Sequence, residues 1–341
     1  MARGLEGFHD DVEVSAAYVA QRGVPVYASA LRAAVSLFAS DERLRARVLD
    51  AWGAREFHAS YERPMLLLAA LRFEALGDRG HPLSREIAEE RGDGIVDREA
   101  LAAAMTDAVL ETMRSRAVQT NEVSRSIAWR LALGELPRGE LALVDLPRDE
   151  LALVDLGCSA ALNLVGDEVD QAWTSPDGAP IPLVPTTHVT ARFGLDRRPI
   201  DARDEREARW LRACIWPGQT DRSARLDEAL SLAARALDAG EISLHAVDAE
   251  EMPSWLERLD RRALAMQTVF VEYLPPDVRA RYEAGMRRWL AARPDCAWVE
   301  LETGPGAHGP AVIRLHRATG ATVLASCEYH PRVVHLERAR G

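Results

Sequence analysis

Leu151-Ala152-Leu153-Val154-Asp155-Leu156-Gly157-Cys158-Ser159-Ala160-Ala161-Leu162-Asn163 carries the strongest signal of architecture in the chain. A short apolar run stopped by glycine reads as a buried parallel strand that feeds a tight turn. The residues after Gly157 are small, and Ala160 to Leu164 reads as a helix start. Strand, small-residue turn and helix N-terminus together let a ligand approach the backbone. In open α/β sheets, ligands sit at the carboxyl ends of the strands.

Downstream, strand patterns recur at His188 to Phe193, Ile242 to Val247, Ala265 to Val271, Ala297 to Leu301, Ala311 to His316 and Thr322 to Cys327. Helical spacing falls between them at Glu205 to Ala213, Asp221 to Ala239, Pro253 to Leu259 and Pro276 to Ala292. Strands alternating with helices predict a mostly parallel sheet, and the last strands, without helices between them, an antiparallel edge. Upstream, Val14 to Arg22, Val26 to Phe38, Asp41 to Trp52 and Pro64 to Leu76 read as helices, with Ser40 capping the third. Further helices begin near Asp97 and near Thr106, the latter running to about Leu133. The expected organisation is a helical cap domain over residues 1–137 and a Rossmann-like α/β domain over 138–341. Glu140 to Asp149 and Glu150 to Gly157 are near copies, and only the copy that ends in glycine fits the strand. Trp173 to Pro185, rich in Pro, Gly, Asp and Ser, reads as an inserted loop.

The chain has 341 residues, a net charge of −11 and no lysine. Without lysine, Schiff-base and lysine-base chemistry are excluded. No basic stripe suggests nucleic acid, and no apolar run reaches the length of a membrane span. Residues Met1 to Asp11 lack an apolar signal core, so a cytoplasmic location is expected. Cys158, Cys214, Cys296 and Cys327 have neither C-x-x-C nor zinc spacing, so no metal is expected.

Two functional readings of the turn compete. An acid, one residue, then glycine at a strand end is the signature of S-adenosylmethionine-binding domains. Gly157-Cys158-Ser159-Ala160-Ala161 also reads as a variant nucleophile elbow, with Ser159 attacking and His308 or His330 as base. The helical upstream chain is wrong for that hydrolase fold, and the absence of G-x-G-x-x-G disfavours NAD. The chain resembles the bacterial "domain of unknown function 2332" proteins over nearly its whole length. The motifs are Arg116-Ala-Val-Gln119-Thr-Asn121-Glu122-Val-Ser-Arg125, the 155–163 turn, Gly194-Leu-Asp196-Arg-Arg-Pro199-Ile-Asp201, Ala208-Arg209-Trp210-Leu211 with Trp216-Pro217, and Tyr273-Leu274-Pro275-Pro276. The resemblance implies a methyltransferase-type Rossmann domain behind a helical domain. The family usually has glycine where Ala161 stands, and His-Pro-His-Gly where this chain has Tyr329-His330-Pro331-Arg332.

On one continuous helix, Gln119, Glu122, Ser126 and Arg130 would share a face flanked by Arg116 and Arg125. The expected catalytic set is Glu122 as base or orienting group, with Gln119 and Asn121. Asp155, Gly157, Ser159, Asn163, Asp196 and Asp248 are the expected holders of S-adenosylmethionine. Arg116, Arg125 and Tyr273 are expected at the substrate. The leading expectation is methyl transfer to a small polar substrate. The alternatives are a cofactor-independent cyclisation, displacement or elimination with Glu122 as base, and a non-enzymatic protein with a protein partner. A homodimer is also compatible with the sequence.

Overall fold

A computed structural model describes residues 6–53, 57, 59–88, 94–136, 150–306 and 308–337. In chain order the helices α1 (Glu6–Gln21), α2 (Pro25–Ser40), α3 (Glu42–Trp52), α4 (Glu62–Gly77), α5 (Arg98–Ala104), α6 (Asp107–Ser115) and α7 (Ile127–Glu135) come first. Then follow β1 (Leu151–Leu156), β2 (Val189–Asp196), α8 (Glu205–Ala213), α9 (Thr220–Asp238), β3 (Ile242–Ala246), α10 (Met252–Glu257), β4 (Ala263–Thr268) and α11 (Pro276–Ala292). The chain closes on β5 (Ala297–Gly306), β6 (Gly309–Arg317), β7 (Gly320–Cys327) and β8 (Val334–Leu336).

Two compact units result. Met1–Thr120 with Asp204–Ala224 form a helical unit, and Asn121–Arg203 with Arg225–Gly341 form a sheet unit. The single boundary expected at 137/138 therefore falls elsewhere. The first unit ends at Thr120, and it takes in α8 from the connection between β2 and β3. The reason is apolar: within the helical unit Trp210 of α8 meets Phe73 of α4 edge-on at 5.7 Å. The Arg116 guanidinium lies 5.2 Å from the Phe73 ring and 5.4 Å from the Trp210 ring.

Helix starts follow capping chemistry. The side chains of Asp97 and Thr106 accept from Ala100 N and Val109 N, fixing α5 and α6 where the sequence placed them. The cap of α3 is Asp41, which accepts from Leu44 N at 2.9 Å, whereas Ser40 is the last residue of α2. The expected long helix to Leu133 is broken. α6 stops at Ser115, residues 116–122 are not helical, and a 3-10 turn at Val123–Ser126 leads into α7. The stripe Gln119–Glu122–Ser126–Arg130 is thus no single helix face.

The sheet order is β3-β2-β1-β4-β5-β6-β7-β8. β1 to β5 run parallel and β6 to β8 antiparallel, as expected for the edge. β8 is a strand the sequence reading missed. The order reverses between β1 and β4, which is the topological switch point where α/β sheets bind ligands. One sheet face carries Ala152, Val154 and Leu156 of β1, packed against Met252, Leu256, Tyr282, Met286 and Trp289 of α10 and α11. Each large side chain buried there contributes roughly 1.5–3 kcal/mol. The opposite face carries Leu153 and Asp155, and α7 packs across β4, β5 and β6. The second copy of the duplication forms β1, and the first lies outside the described residues. No helix of the described residues is long and apolar enough to cross a membrane.

Candidate functional site at the carboxyl edge of β1 and β4

β1 delivers Asp155 between Gly194 of β2 and Met266 of β4. The side chain is buried, and its Oδ2 finds no hydrogen-bond partner among the described residues. Burial first, and then the neighbouring Asp196 carboxylate, push its carboxyl up to about 8. Near neutral pH this acid holds its proton.

The turn that follows has left-handed backbone at three of five positions: Gly157 (φ 76), Ser159 (φ 50) and Ala161 (φ 57). Glycine suits the first on two counts. Its φ is positive, and a Cβ there would stand 2.3 Å from the Phe270 ring. Ala161 is fully buried in the same conformation, which explains physically why glycine suits that position. Asp196 clasps the turn: its Oδ2 accepts from Ser159 N at 3.0 Å and its Oδ1 from Arg198 N at 2.9 Å. Burial raises the Cys158 thiol well above its usual range, so it is no thiolate nucleophile.

The expected helix at Ala160 is only a 3-10 turn, Leu162–Val165. The helix N-terminus that would attract an anion is therefore missing, and so is the helix a nucleophile elbow requires. His308, one base considered for Ser159, stacks on His335 at 4.4 Å. Asn163 does come to the edge. Its Nδ2 lies 3.5 Å from Thr268 Oγ1, its backbone oxygen accepts from Trp129 Nε1 at 3.0 Å, and its Oδ1 is buried without a partner among the described residues. Asp248 follows β3 but is exposed, paired with Arg197 Nε at 2.8 Å. Tyr273 follows β4 and is 59% exposed, so it is not a core tyrosine.

The 116–125 motif splits between the units. Arg116 belongs to the helical unit, where it makes a bidentate pair with Glu207 at 2.8 and 2.9 Å; Gln119 lies in that unit too. Asn121, Glu122 and Arg125 belong to the sheet unit. Glu122 is buried and caps the 3-10 turn, accepting from Ser124 N at 3.2 Å, with Arg225 Nη2 at 3.4 Å from the same oxygen. Arg125 is buried and donates to the Tyr329 carbonyl at 2.9 Å.

A family model described as an uncharacterized protein conserved in bacteria, DUF2332, matches residues 9–335. The chain belongs to this family. No curated protein matches it.

In this DUF2332 chain the sequence reading passed over the residues that shape the end of β4. Val269, immediately after the strand, has φ 51, a position that costs a β-branched residue on the order of 1–3 kcal/mol. Glu302 of β5 is buried beneath it, and Gln267 is fully buried beside Glu302. Further out, the Thr303 and Tyr329 hydroxyls meet at 2.6 Å, and Thr303 reaches Glu272 at 3.3 Å. One signal was available: Trp298, Glu300 and Glu302 alternate along an otherwise apolar strand, which puts two acids on one face.

Proposed function

We propose that this protein is a small-molecule enzyme working at the carboxyl edge of β1 and β4, with S-adenosylmethionine as methyl donor to a small polar substrate. The observation that carries the reading is Asp155. A buried acid whose Oδ2 has no hydrogen-bond partner among the described residues, beside a second acid at the switch point, suits a ligand that brings a cationic nitrogen. Asn163, with its own unmatched Oδ1 near Thr268, supplies a second acceptor at the same edge. Asp196 fits a hydroxyl-bearing sugar less freely, because both its oxygens already hold the turn. Gly157 fits only in part, since Phe270 occupies the side that its missing Cβ leaves open. Asp248 is tied to Arg197 on the surface and adds little support.

When bound, the cofactor supplies an electrophilic methyl group on a sulfonium centre. In this reading Asp155 would release its proton to solvent as the ligand arrives, its carboxylate would pair with the ligand ammonium, and Asn163 Oδ1 would accept from the same group. The left-handed turn would present the backbone at Ser159 to the ligand. Glu122 has a positioning role, since its cap and its ion pair with Arg225 hold the start of α7. Calorimetry of the full chain with S-adenosylmethionine and S-adenosylhomocysteine tests the reading. Saturable heat that Asp155→Asn abolishes supports it, and no heat at millimolar ligand rejects methyl transfer.

A further inference from the structure

Beneath the turn after β4 lies a buried polar chain that no part of the proposed chemistry uses. The Tyr282 hydroxyl donates to Gln267 Oε1 at 2.5 Å, and Trp298 Nε1 donates to the same oxygen at 3.1 Å. Gln267 Nε2 then donates to Glu302 Oε1 at 3.0 Å. That oxygen also accepts the backbone N–H of Phe270 at 2.9 Å and of Val271 at 3.3 Å. One carboxylate oxygen therefore gathers three N–H groups, two of them from the turn. Packing alone does not call for a carboxylate here, because burying one is unfavourable unless it orients something.

What it orients is the strained segment. Val269 sits at φ 51, directly before the two amides that Glu302 holds. Phe270, held through its own N–H, is the residue whose ring fills the space over Gly157. We propose that Glu302 is the positioning residue of the carboxyl-edge site, a latch that keeps the turn Val269–Tyr273 in its strained form and, through Phe270, seats the β1 turn. This rests on the reading that ligand binds at that edge. The charged and titratable groups acting around the latch are Glu300 on the same strand, Tyr282, Arg279 and Glu283 on α11, and Asp155 on β1.

The latch has a measurable signature. Burial, with a smaller contribution from Glu300, pushes the Glu302 carboxyl up to about 7 from its ordinary 4.5. A group that binds its proton more tightly when buried favours the closed turn at low pH. Any opening that hydrates it becomes more frequent as pH rises, by roughly tenfold between pH 6 and pH 8.

The test is amide hydrogen exchange at Phe270 and Val271 in the full-length chain, corrected for intrinsic rate, at both pH values. Wild type, Glu302→Gln and Glu302→Ala are compared, and each is titrated with S-adenosylmethionine. Wild type is expected to lose about tenfold in protection at pH 8. Glu302→Gln keeps an acceptor and cannot titrate, so the roughly tenfold loss that belongs to Glu302 should vanish, and any pH step that remains belongs to Asp155, which titrates in both proteins. Glu302→Ala should exchange fast at both pH values and bind the probe about tenfold more weakly. Equal protection in wild type and Glu302→Ala overturns the latch, and so does probe affinity that ignores a loosened turn. Should Glu302→Ala not fold, an identical pH step in wild type and Glu302→Gln overturns it instead. If wild type gives no heat with the probe, the methyl-transfer reading fails, and the exchange comparison alone judges the latch.

Discussion

Replacing Asp155 with asparagine removes a titration from the middle of the sheet. The carboxyl moves from 3.8 in the unfolded chain to about 8 in the fold, and the side chain is fully buried, so no solvent screening reduces the effect. The sign follows from linkage. With the folded value raised, the stability from Asp155 is fully present below pH 4 and is lost progressively as pH rises to about 8. At about 1.4 kcal/mol per unit, the wild type forfeits on the order of 4 kcal/mol by pH 7 to 8 relative to a neutral isostere. Asparagine has that shape and carries no charge. Urea unfolding followed by tryptophan emission at pH 4, 5.5, 7 and 8.5 reads the difference directly. The two proteins should be nearly equal at pH 4, and Asp155→Asn should gain steadily with pH. Glu302 titrates in both and cancels in the comparison. A stability difference that stays constant from pH 4 to 8.5 would refute the claim that Asp155 is buried and protonated.

Other substitutions test the turn and its supports. Gly157→Ala drives a methyl into the Phe270 ring at a positive φ, and should cost about 2–4 kcal/mol in urea unfolding. Ala161→Gly relieves a left-handed alanine, so the melting temperature should rise, by an amount equivalent to about 0.5–1 kcal/mol. Glu122→Gln keeps the cap but weakens the buried pair with Arg225. It should destabilise by about 2 kcal/mol, and a variant as stable as wild type would show that the ion pair contributes nothing.

Local chemistry and periodicity carry only part of this molecule. Asp97 and Thr106 cap the helices they introduce, because a cap needs only its own next three residues. Periodicity and short motifs sufficed for the parallel sheet from β1 to β5, its antiparallel edge, the strand that delivers Asp155, and the family. All of these are written in runs of adjacent residues. The tertiary structure decided the rest. It broke the 116–130 segment, which no Pro or Gly interrupts, and divided its motif between the units, because Arg116 gains a carboxylate and two rings from residues far along the chain. It assigned Gly157 to packing against Phe270, a contact that no spacing within 151–163 records. It gathered Gln267, Tyr282, Trp298 and Glu302 around one turn from three separate elements. Burial and the unmatched oxygen of Asp155 likewise depend on what stands across the sheet, and a proton's affinity for a carboxylate is set by those surroundings.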